Sequence, residues 1–60
     1  MTKVYRIKSG AGWFVSLGRD GMPFMSSDMA EAKIMLHGEA DRIAELIEAN
    51  GFVAEIVEVK

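Results

Sequence analysis

His37 is the only imidazole in the chain, and no residue near it in sequence is a nucleophile it could activate. Hydrolytic catalysis needs a nucleophile, a base and a group that orients the base. Ser9, Ser16, Ser26 and Ser27 fall in turn or strand contexts, and none sits in a Gly-x-Ser-x-Gly elbow. Ser27 reads as the opening of a helix, and His37 as a polar residue in a break between two segments. Ser9-Gly10-Ala11-Gly12 has the glycines of a phosphate loop but lacks the Lys-Ser/Thr that follows one. It also leads into a strand, where a phosphate cradle would lead into a helix N-terminus. Glu39, Asp41, Glu45 and Glu48 are spread along a helix without the coordinating loop of a calcium or magnesium site, so a solvated face explains them. Cysteine is absent, which removes disulfides and thiolate metal sites. The expectation is a non-enzymatic chain with no catalytic residues, no cofactor, no metal and no small-molecule substrate.

The side chains left to carry a function are those that make contacts. Met22, Met25, Met29 and Met35 lie within fourteen residues. Thioethers fill irregular gaps in small cores and also suit adaptable binding surfaces. Trp13 and Phe14 are adjacent, so on a strand they point to opposite faces. With Trp13 in the core, Phe14 faces outward and becomes a candidate contact residue. Charge is divided as well. Residues 1–21 hold Lys3, Arg6, Lys8 and Arg19 against Asp20, a balance of +3. The remainder holds three cations against eight carboxylates, −5, for −2 overall. Solvated faces of a strand pair and a helix would produce this split. So would a bipolar surface that steers a partner or a second copy.

The elements that must position these residues are legible from periodicity. Val4 to Lys8 reads as a first strand, with Tyr5 and Ile7 on one face. The Ser9–Gly12 turn leads to a second strand, Trp13 to Leu17, with Trp13, Val15 and Leu17 on one side and Phe14 and Ser16 on the other. Gly18-Arg19-Asp20-Gly21 carries the Asp-Gly hairpin signal. A short third strand near Pro23 to Ser26 suits a sheet edge, because proline donates nothing to a ladder. Asp28 followed by Glu31 has the spacing of a capping box and opens a short helical segment through Lys33. Ile34-Met35-Leu36 fits either a last helical turn or a strand-like stretch. The principal helix begins near Glu39, with Ala40, Ile43, Ala44 and Ile47 at helical spacing and charges opposite. Gly51 stops it, and the β-branched run Phe52 to Val59 closes the chain as a strand. On that strand Phe52, Ala54 and Ile56 share one face, yet Val53, Val57 and Val59 make the other face apolar too. Either a bulge near Glu55 to Glu58 changes the facing, or the sheet has a second apolar face that something covers.

Sixty residues make one small domain, which hides only about 60% of its unfolded surface. Such a core rarely supplies more than roughly 3–5 kcal/mol, so self-association is the remaining common support. Half the residues are hydrophobic, too many for a disordered chain. No apolar run approaches the roughly 20 residues of a membrane span, and the N-terminus has no secretory pattern. These features predict a soluble cytoplasmic protein that does not enter a membrane.

The order YRIKSGAGWFVS, GRDGMPFMSSDMAEAKIM and EADRIAELIEANGFVAEIVEV resembles very short orphan proteins encoded by bacteriophages and prophages. These combine a hairpin on a Tyr-x-Ile-Lys strand, a Ser-Asp-x-x-Glu-Ala-Lys segment, a helix and a valine-rich strand. The resemblance covers nearly the whole chain, through packing and turn signals. It implies a small accessory or host-modulating protein, in a bacterial host cell, that acts by binding. GWFVSLGRDGMPFMS followed by an Ala-rich helix is also similar to the three-stranded arm-binding domain of phage-type integrases, which enters the DNA major groove. In the equivalent strands this chain offers Arg19 and little else, and its helix is acidic. Both departures weigh against DNA insertion, since phosphate neutralisation supplies nonspecific affinity.

The sequence thus predicts an α+β domain of order β-β-β-α-β, a small antiparallel sheet against one principal helix, with a short helical segment before it. The closing strand pairs with either the first or the third. The expected function is protein binding or self-association, including a homodimer, through Phe14, Val53, Val57 and Val59. The alternative is nucleic-acid association through Lys3, Arg6, Lys8 and Arg19.

Overall fold

A computed structural model describes residues 2–10 and 12–59; Ala11, in the first turn, lies outside them. Strands β1 (Tyr5–Ser9), β2 (Gly12–Leu17), β3 (Pro23–Ser26) and β4 (Ala54–Glu58) form one antiparallel sheet in the order β3-β2-β1-β4. Helix α1 (His37–Ala49) packs on β1 and β4. The fold is α+β. The closing strand therefore joins the first, and the proline-led third strand takes the edge, where a missing donor breaks no ladder.

The helix follows its periodicity. Ala40, Ala44 and Ile47 are buried and Ile43 is half-buried, while Glu39, Asp41, Arg42, Glu45 and Glu48 are exposed. It starts at His37, two residues before the expected point, with Leu36 at the N-cap and no side-chain cap. It ends on Gly51 (φ +88°), where the Gly51 N–H donates to the Glu48 carbonyl and the Phe52 N–H to that of Ile47. This Schellman pairing satisfies carbonyls that the last turn leaves open.

The segment before the helix is shorter than its sequence suggests. A 3-10 turn covers Met29–Glu31 only, and Ala32 is already extended. Asp28 accepts from the Ala30 N–H (2.9 Å), but Glu31 does not reach back to Asp28 as a capping box would; its carboxylate accepts from the Ser26 hydroxyl (3.1 Å). Of the two readings of Ile34 to Leu36, the strand-like one holds. Tyr5 and Met35 exchange two backbone hydrogen bonds (2.8 and 2.9 Å), and the Lys33 N–H donates to the Phe14 carbonyl. The Lys33–Met35 stretch thus takes the place beside Tyr5 that β2 would otherwise fill, and it carries Met35 into the core.

Strand facing brings one correction. Phe14, expected outside, is 1% exposed and packs in the core with Ile7, Met35, Ala40, Ala44 and Ile47. The hairpin register is the cause. Ser9 pairs with Gly12 and Lys8 with Trp13, so Trp13 shares the face of Lys8, away from the helix, and Phe14 follows Ile7 inward. Alternation along β2 does not continue past that point. A register shift between Phe14 and Ser16 sets Ser16 opposite Phe24, so Ser16 does not share the face of Phe14. The bulge considered for Glu55 to Glu58 is absent there, since β4 pairs with β1 without interruption from Tyr5–Glu58 to Ser9–Ala54.

Candidate functional site

Paired strand residues share a face, so the β1–β4 register sorts the sheet into two sides. Ile7 with Ile56, and Ser9 with Ala54, lie under the helix. Lys8 with Glu55, and Arg6 with Val57, lie on the opposite side. Val4 and Val59 extend that side by one step, joined by a 2.9 Å bond from the Val59 N–H to the Val4 carbonyl. No helix packs on this side of β1 and β4 among the described residues. It presents three half-buried valines around the stem of Arg6. Of the residues expected on a second apolar face, Val57 and Val59 lie here, interleaved with Lys8, Arg6 and Glu55.

Two cations sit in this apolar setting. The Lys8 ammonium lies 5.8 Å from the Trp13 ring centroid, within cation–π range. The Arg6 Nε is buried with no hydrogen-bond partner among the described residues, an arrangement that costs free energy until an acceptor reaches it. Ile34 and Leu36, on either side of buried Met35, are exposed at one margin.

The sequence candidates separate accordingly. Val57 and Val59 are on the open face, as are Arg6 and Lys8. Phe14 is not, being core. Val53 precedes β4 and is 76% exposed in the connection, off the sheet. Lys3 turns to Glu58 (3.9 Å), and Arg19 lies in the exposed β2–β3 turn, so the four proposed cations do not converge. Trp13, expected in the core, lies on the open side beside Lys8. Carrying the Tyr5/Ile7 facing through the two-residue turn would have placed it there.

A concavity of about 160 Å³ opens between the helix C-terminus and β3 and is lined by Ser9, Met22, Pro23, Met25, Ile47 and Phe52. The methionines thus divide: Met35 fills the core, Met22 and Met25 line this groove, and Met29 is exposed. At the other helix end, the His37 Nδ1 is 3.1 Å from Asp41, its ring edge-on to Tyr5 at 5.1 Å, and Lys33 pairs with Glu39 at 2.9 Å. These contacts lie at the exposed surface of the first helical turn. Among the described residues no three His, Asp or Glu side chains gather as metal ligands, and no helix is long and apolar enough to cross a membrane. No family model, curated protein or solved structure matches the chain.

Proposed function

We propose that this chain is a small non-catalytic protein-binding module whose contact surface is the helix-free face of β1 and β4. The observation that carries this reading is Val4, Val57 and Val59 grouped around Arg6 with no helix over them. Apolar faces of this kind mark interaction sites, and a cation among them selects for orientation and partner charge. In the phage setting suggested by the resemblance, the module works in the bacterial cytoplasm and modulates a host protein. Val57→Asp tests the surface. The variant should keep the wild-type circular dichroism spectrum and lose both partner capture and self-association; unchanged binding by a folded Val57→Asp protein refutes the reading.

A second reading has its own observation. Arg6 and Lys8 stand on the same face as Trp13, the combination of cation and aromatic ring on which single-stranded nucleic acid stacks. It requires affinity that falls steeply with salt. Absence of a mobility shift with single-stranded or duplex DNA at low salt removes it.

A further inference from the structure

We propose that the open face of β1 and β4 is a homodimer interface in which Lys8 of each protomer meets Glu55 of the other across a two-fold axis parallel to the strands. This rests on the protein-binding reading and names the occupant as a second copy. The face consists of three level rungs, each with one member from β1 and one from β4: Lys8–Glu55, Arg6–Val57 and Val4–Val59. When two such faces meet about an axis running between β1 and β4, β1 of one protomer lies over β4 of the other and the rungs stay level. Lys8 then meets Glu55 twice and Val4 meets Val59 twice. The Arg6 stem lies on Val57, with Glu55 one diagonal step away. An axis along β1 would instead set Lys8 on Lys8 and Arg6 on Arg6, and an axis along β4 would set Glu55 on Glu55. Charge selects the axis between the strands, and the contact it makes is isologous and closed. Packed sheets keep their strands within about 30° of each other, so five-residue strands stay in register across the contact.

Area sets the strength. Because β4 is the edge of the sheet, only β1 and β4 of each protomer overlap. Two strands about 4.8 Å apart with five residues at about 3.3 Å give a footprint of about 160 Å² per face. That places the total below about 1,200 Å², the range of weak complexes, and the dissociation constant in the micromolar range or above.

Sedimentation velocity from about 10 μM to about 1 mM tests this. The wild-type protein should pass from monomer to dimer. Lys8→Glu alone and Glu55→Lys alone should each weaken self-association about tenfold or more, because each homodimer then opposes like charges twice. An equimolar mixture of the two variants should dimerise close to wild-type strength, because every carboxylate of one then faces an ammonium group of the other. Lys8 and Glu55 are also neighbours within one protomer, but mixing cannot repair a defect inside a protomer. Should either variant fail to fold, zero-length amine–carboxylate cross-linking of mixed ¹⁵N-labelled and unlabelled wild-type protein gives the same answer; a mixed-isotope Lys8–Glu55 product is expected and its absence overturns the proposal. A wild-type protein that stays monomeric at about 1 mM also overturns it, and leaves partner capture and its loss in Val57→Asp to decide the broader reading. A wild-type dimer without rescue in the mixture overturns it too, placing self-association on another surface.

Discussion

Replacing Phe14 by alanine would remove a ring that is 1% exposed from the cluster of Ile7, Met35, Ala44 and Ile47. Such truncations cost about 3–5 kcal/mol, as much as a core of this size supplies in total, roughly 3–5 kcal/mol. Phe14→Ala should therefore be unfolded at room temperature by circular dichroism, whereas Phe24→Ser, at a residue 58% exposed, should melt close to wild type. Two glycines of one turn offer a second contrast. Gly12 has φ +132°, and a Cβ there would collide with the Ser26 carbonyl oxygen; Gly10 has neither a positive φ nor any atom within reach. Gly12→Ala should lose more than about 1 kcal/mol in urea denaturation, and Gly10→Ala should be neutral or gain about 0.4–1 kcal/mol. Opposite signs from one substitution separate a steric requirement from simple chain flexibility.

Among the elements, α1 starts without a side-chain cap and with Gly38 in its first turn. Gly38 has no positive φ and open space at its Cβ, so Gly38→Ala should raise stability by about 0.4–1 kcal/mol, read as a shift in the urea midpoint. The helix body was legible in sequence because Ala40, Ala44 and Ile47 repeat at the helical period opposite a charged face. The facing of β4, apolar on both sides, is settled only by its register with β1. Trp13 and Phe14 were not read correctly from their own strand. Period two assigns them to opposite faces without saying which is inward, and that answer lies in the Ser9–Gly12 pairing. The insertion of Met35 beside Tyr5 left still less trace, because it depends on contact between segments far apart in sequence.

At the scale of the whole molecule, β1 is held between β4 and the Met35 stretch, and α1 rests on the β1–β4 pair. Val57 and Val59 were legible as one apolar side of a strand. Their grouping with Arg6 and Lys8 was not, since it exists only because the first and last strands are neighbours. Removing residues 52–60 would strip Ala54 and Ile56 from beneath the helix and leave the outer edge of β1 unpaired. The shortened chain should lack the cooperative thermal transition of the intact one, monitored by circular dichroism. The same adjacency bears on synthesis. A nascent chain can pair β1 with β2 early, but the outer edge of β1 stays open until residues 54–58 have cleared the ribosomal exit tunnel, exposed meanwhile to whatever chaperone or protease reaches it first.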